Sequence, residues 1–86
     1  MAKPSVPPPL SGLRVVELGQ LIAGPFCAQL LGDFGADVIK VEAPDRPDPA
    51  RDWGAVKKDG IGLLWPIIAR NKSSLTLNLR VAAGQA

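Results

Sequence analysis

The chain has 86 residues, ten Lys and Arg against eight Asp and Glu, a formal net charge of +2, a single cysteine and no histidine. This length allows one small domain, which buries only roughly 60–65% of the surface its unfolded form exposes, and the slight, dispersed positive charge argues against a nucleic-acid partner. The lone Cys27 closes no internal disulfide, which excludes a disulfide-stapled secreted domain and fits a reducing, cytoplasmic setting.

Residues 1–9 contain four prolines and no apolar run, so neither a signal peptide nor a membrane span is expected; a disordered, polyproline-like lead-in is. Arg14-Val15-Val16-Glu17-Leu18 reads as a strand covered on both faces. After the turn Gly19 to Gly24, Pro25 to Phe34 reads as a helix, with Pro25 at its first position and Gly35 as the left-handed residue that closes it. Phe26, Leu30, Leu31 and Phe34 form its apolar face, Gln29 and Asp33 point away, and Cys27 is a small buried helix residue. Asp37 to Glu42 reads as a second strand and completes a βαβ unit.

Pro44 to Gly60, rich in proline and charge, reads as a long surface loop with Asp45, Asp48 and Asp52 as solvated turn formers. Ile61 to Arg70 reads as a short apolar helix with Pro66 in its first turn, Arg70 to Ser74 as a polar turn, and Leu75 to Leu79 as a half-buried strand. Val81 to Ala86 resembles the opening of a further helix.

The turn between the first strand and the helix is the candidate ligand site, because backbone N–H groups at a helix start, with the helix dipole, attract anions. Gly19 and Gly24 have Walker A spacing, but Pro25 and Phe26 stand where Lys and Ser or Thr are needed, which argues against a nucleoside triphosphate. The dinucleotide fingerprint G-x-G-x-x-G is absent, although Glu42 ends the second strand about where a ribose-binding acid would sit. The two glycines are either turn glycines or admit a close-lying phosphate. Cys27 has no histidine to activate it as a nucleophile.

The blocks Pro9-Leu10-Ser11-Gly12-Leu13-Arg14-Val15-Val16-Glu17-Leu18, Ala23-Gly24-Pro25-Phe26 and Gly32 to Glu42, followed by Arg70 to Leu79, together resemble the N-terminal signature of the class III (CaiB/BaiF, or formyl-CoA transferase) CoA-transferases. The resemblance implies an α/β fold, here a partial Rossmann-like βαβ unit plus a third strand in an incomplete parallel sheet, with 10–86 as the truncated N-terminal part of a large domain. It implies coenzyme A or acyl-CoA as a substrate and no permanently bound cofactor. The family contacts map to Leu21, Ile22 and Ala23 in the first turn, Ala43 and Pro44 after the second strand, and Leu77 and Arg80 at the third. Arg80 can hold a phosphate bidentately, whereas Ala43 stands where some members carry a basic residue.

In that family an aspartate attacks the acyl thioester and CoA passes to a carboxylic acid, in homodimers. None of the six aspartates here occupies that place, so no catalytic residue and no metal site is expected, only part of a CoA-binding wall. Two alternatives are an α-methylacyl-CoA racemase-like enzyme, which shares these blocks and uses histidine and acidic groups, and a non-catalytic remnant. Low stability is expected from the apolar Leu63 to Ile68 segment, which has few partners.

Overall fold

A computed structural model of the chain describes residues 6–86; residues 1–5 of the expected lead-in lie outside them, and Val6 to Pro9 are exposed. The first strand, β1 (Arg14–Glu17), runs into a helix, α1 (Ala23–Asp33), and back into β2 (Asp37–Glu42). A 3-10 turn (Pro49–Asp52), a hairpin of β3 (Lys57–Lys58) and β4 (Ile61–Gly62), and a one-turn helix, α2 (Trp65–Ile68), lead to β5 (Lys72–Thr76) and a terminal α3 (Ala82–Gln85). The strands β1, β2 and β5 form a parallel sheet with β2 in the centre. The fold is therefore a mixed α/β unit with a small parallel sheet. No helix among the described residues is long and apolar enough to cross a membrane.

The period change from strand to helix places α1 as expected, with its start moved. Ile22 is the N-cap and Phe26 N–H donates to the Ile22 carbonyl at 2.7 Å, so the helix begins at Ala23 and Pro25 is its third residue. That position still lacks an intrahelical partner for an N–H, so proline costs nothing there. Gly35 closes the helix at φ +107°: its N–H donates to the Gly32 carbonyl at 3.0 Å and Ala36 N–H to the Leu31 carbonyl at 3.1 Å. These two bonds are a Schellman motif, and the accompanying Leu31–Ala36 contact lies in the core.

The helix sits on the sheet by a different face from the one expected. Pro25, Ala28 and Gln29 are buried, whereas Phe26, Leu30 and Phe34 are 53%, 42% and 55% exposed; of the expected face only Leu31 packs against the core of Ala28, Ala36 and Val38. A Cβ on Gly32 would lie 3.4 Å from Val38 and Asn71, so the small residues 28 and 32 let the helix lie close to β2 and turn the large ones outward. Cys27, expected inside, is exposed.

The strand β1 is not covered on both faces. Only α1 packs across it, on the Val15 and Glu17 side, and among the described residues Val16 and Leu18 on the other side are 59% and 60% exposed. The strand β5 spans Lys72–Thr76, three residues earlier than the expected Leu75 to Leu79, so the expected polar turn supplies most of it. Ser73 and Ser74 pair with Ile39 and Lys40, and the strand yields after Thr76 to a turn in which Asn78 Oδ1 accepts Arg80 N–H at 3.0 Å.

The segment from Ile61 is not one helix. Asp59 and Gly60, both at positive φ, turn Lys57–Lys58 onto Ile61–Gly62, and only Trp65–Ile68 is helical, with Pro66 in its first turn as expected. Asp-Gly is the usual signal for such a hairpin.

Gly19 and Gly24 face each other across the β1–α1 turn. A Cβ on Gly19 would stand 2.9 Å from Gly24 Cα, and one on Gly24 would stand 3.0 Å from Gly19 Cα. Their absent side chains therefore serve backbone-to-backbone approach. Gly19→Ala is expected to lower stability by about 1–3 kcal/mol through overpacking against backbone, read as a lower urea midpoint; an unchanged midpoint would show that the turn opens freely.

Candidate ligand-binding site

Beneath α1 the sheet carries buried charges beside the apolar Val15 and Val38. Lys40, in the central strand, is 2% exposed, and its Nζ lies 2.6 Å from Glu17 Oε2, 2.8 Å from Asp48 Oδ2 and 3.1 Å from the Gly19 carbonyl. From β5, Lys72 Nζ donates to Glu17 Oε1 at 2.7 Å and to the Pro25 carbonyl at 2.9 Å. Asp48 Oδ1 accepts Leu21 N–H at 3.0 Å and Ala50 N–H at 2.9 Å. Glu42 accepts a bidentate pair from Arg51 at 2.6 and 3.0 Å, and Asp48 N–H at 2.7 Å. Three carboxylates thus meet three cations, with Trp65 over the group: its ring centre is 4.2 Å from Arg51 Cζ and 5.8 Å from Lys40 Nζ.

This network holds the turn between β1 and α1 from both sides. Lys40 grips the carbonyl of Gly19 and Asp48 grips the N–H of Leu21, which lies at φ +65°, a conformation that costs a branched side chain about 1–2 kcal/mol. Asp48 was expected as a solvated turn former; it is 2% exposed, because both its oxygens face donors in the interior. Burial pushes the Asp48 carboxyl up, but Lys40 and the N–H groups of Ala50 and Leu21 outweigh it and hold the group below its ordinary value. The Arg51 hydrogen bonds likewise hold Glu42 below its ordinary value, against the effect of burial.

Beside the clamped turn, at the carboxyl ends of all three parallel strands, lies a hollow of about 300 Å³. Open α/β sheets bind ligands outside this edge. Its walls are Gly19 and Gln20 after β1, Ala43 and Arg46 after β2, and Leu77 to Arg80 after β5. Of the residues expected at coenzyme A, Ala43, Leu77 and Arg80 converge here. Leu21 and Ile22 line a separate apolar hollow of about 190 Å³ with Phe26, Trp53, Leu64 and Ile68, and Pro44 borders a shallower one with Pro47 and Arg51. Ala23 lines none of these hollows and begins α1.

The residues that sequence reasoning missed are the ones that shape the site: Glu17, Lys40, Asp48 and Lys72, with Arg46 on the rim. A signal existed. Lys40 and Glu42 share one face with Val38 on a strand whose other face carries Asp37, Ile39 and Val41, and charges on the covered face of a central parallel strand require buried partners.

Open parallel α/β sheets take ligands at this carboxyl edge, and here the hollow is bordered by two arginines, Arg46 and Arg80. Comparison with known proteins narrows this: the sequence profile of CoA-transferase family III matches residues 10–86, and the chain belongs to that family. It is 55% identical over its whole length to succinyl-CoA–D-citramalate CoA-transferase of Chloroflexus aurantiacus, covering 21% of that protein. It is 43% identical over 94% of its length to succinate–glutarate CoA-transferase of Agrobacterium fabrum, covering 22% of that protein. The crystal structure of a CaiB/BaiF family protein from Brucella suis superposes with a TM-score of 0.80 and 40% identity, over 93% of this chain and 22% of that one. The chain thus spans about a fifth of the length of these relatives, and its βαβ unit with a third parallel strand is the N-terminal fold of the CaiB/BaiF proteins.

Lys40→Met would leave Glu17 and Asp48 buried without their shared counter-ion, a loss of about 3–5 kcal/mol. An 86-residue domain has roughly 4–13 kcal/mol in all, so the variant is expected to unfold at a markedly lower urea midpoint than the parent; a midpoint like the parent's would show that the ions contribute little. The network also sets an acid limit. Glu42 and Asp48 hold protons less readily in the folded chain than at their ordinary values of 4.5 and 3.8. Their contribution is therefore complete above those values and is lost as pH falls through the lower folded ones. Urea midpoints that stay constant from pH 6 to 5 and decline below about pH 4 are expected; a midpoint that rises in acid would contradict this.

Proposed function

We propose that the chain supplies a coenzyme A-binding wall to an enzyme that moves CoA between an acyl-CoA and a carboxylic acid. The observation that carries this reading is the convergence of Ala43, Leu77 and Arg80 on one hollow at the carboxyl edge of the sheet. Arg80 has no carboxylate partner among the described residues, so its guanidinium is available to a phosphate. The name of the Chloroflexus relative supports succinyl-CoA as the donor.

In the reaction that this reading entails, an aspartate carboxylate attacks the acyl thioester and releases CoA thiolate, leaving an acyl-aspartyl anhydride. The thiolate then attacks the aspartyl carbonyl, freeing the original acid, and the aspartyl thioester passes CoA to the acceptor acid. The nucleophile does not come from these 86 residues. Of their aspartates only Asp48 borders the hollow, and Lys40 and two N–H groups hold its oxygens. With no histidine, the chain also brings none of the proton relay that an α-methylacyl-CoA racemase would use. Homodimeric assembly and a cytoplasmic setting belong to the same proposal; a single cysteine without an internal disulfide supports the latter.

Isothermal titration of the chain with CoA tests the reading. Saturable binding is expected, weakened roughly tenfold or more by Arg80→Gln through loss of charge-assisted hydrogen bonds. No heat at millimolar CoA, or equal affinity in the variant, would contradict it.

A further inference from the structure

We infer that Arg46 is a second phosphate anchor, and that it and Arg80 form a two-arginine clasp for a dianionic phosphate group of the ligand. The inference rests on the coenzyme A reading above and deepens it by naming the part of the ligand that the hollow takes.

Four charged residues border the hollow: Glu42, Arg46, Asp48 and Arg80. The two carboxylates are committed inward, Glu42 to Arg51 and the Asp48 N–H, Asp48 to Lys40, Leu21 and Ala50. Neither arginine pairs with a carboxylate among the described residues. What remains on its walls is therefore two arginines without a carboxylate partner, each with five N–H donors and a fixed positive charge. A hollow of about 300 Å³ takes phosphate groups rather than a whole coenzyme. Two unspent cations on its walls select a doubly charged one over a neutral amide or thioether.

The backbone delivers Arg46 to this place. Its N–H donates to the Ala43 carbonyl at 3.3 Å, a turn that folds the loop back over the end of β2. Two residues later Asp48 is fixed by Glu42 and Lys40, and Arg51 grips Glu42 from the far side. The loop is thus tied down on the C-terminal side of Arg46, and the backbone that carries this residue is held before any ligand arrives, which lowers part of the ordering cost of binding. On the opposite wall Arg80 is set by the Asn78 side chain, which accepts its N–H at 3.0 Å.

The test is titration of the chain and of R46Q, R46K and R80Q with CoA and with pantetheine, which lacks the phosphates. Arg46 is exposed and has no ion pair to lose, so R46Q is expected to keep the parent's urea midpoint. The expected result is about a tenfold loss of CoA affinity in R46Q, largely restored in R46K, with pantetheine binding the same in all four proteins. Parent-like CoA affinity in R46Q together with weakened binding in R80Q would overturn the clasp and leave the coenzyme A reading standing. Equal losses of CoA and pantetheine in R46Q would also overturn it, since the effect would not depend on phosphate. Absence of CoA binding by the parent would overturn both.

Discussion

The ammonium of Lys40 is the point on which the structure depends. It lies under α1 with Glu17 and Asp48 within 2.8 Å and the Gly19 carbonyl at 3.1 Å, so one side chain of the central strand ties together the end of β1, the loop after β2 and the start of the helix. A buried ion group of this kind is weak evidence for added stability, because desolvation offsets most of the attraction. Its effect here is geometric. The β1–α1 turn holds Leu21 at positive φ, and a turn so strained persists only when its surroundings fix it.

The apolar core beside this group is small. Ala28, Ala36 and Val38 are the buried apolar cluster, with Leu10, Val15 and Leu31 around it. Next to these aliphatic side chains the layer between helix and sheet holds matched charges, with the Trp65 ring stacked on Arg51. The large apolar residues Phe26, Leu30 and Phe34 point outward, and Val16, Leu18 and Leu75 lie exposed on the other side of the sheet. Directing both buried carboxylates of the hollow inward also leaves Arg46 and Arg80 as the uncompensated charges on its rim.

Much of this was legible in the sequence, for identifiable reasons. The change from a β-branched run at Val15 and Val16 to the Pro25-headed helix, and the glycine at 35, located β1, α1 and β2, because backbone periodicity and left-handed φ leave direct marks. Of the positions expected around coenzyme A, Ala43, Leu77 and Arg80 meet at one hollow, while Leu21 and Ile22 line another. What could not be read from local pattern was partnership across the chain. Lys72 looks like a turn residue until Glu17, 55 positions earlier, is known to lie 2.7 Å away, and Asp48 looks like a proline-loop solvator until Leu21, 27 positions earlier, presents its N–H. The choice of helix face was misread because side-chain size, rather than hydrophobicity, decided which stripe could approach β2.

Amide hydrogen exchange at Leu21 in the ligand-free chain tests most directly whether the turn is rigid before ligand arrives. If Asp48 and Lys40 fix the bend, the Leu21 N–H should exchange as slowly as the Ala36 and Val38 amides of the core, and should lose that protection in Asp48→Asn. Exchange at Leu21 as fast as in the exposed Lys57 to Gly60 hairpin would contradict it, and would mean that the bend takes its shape only around a bound ligand.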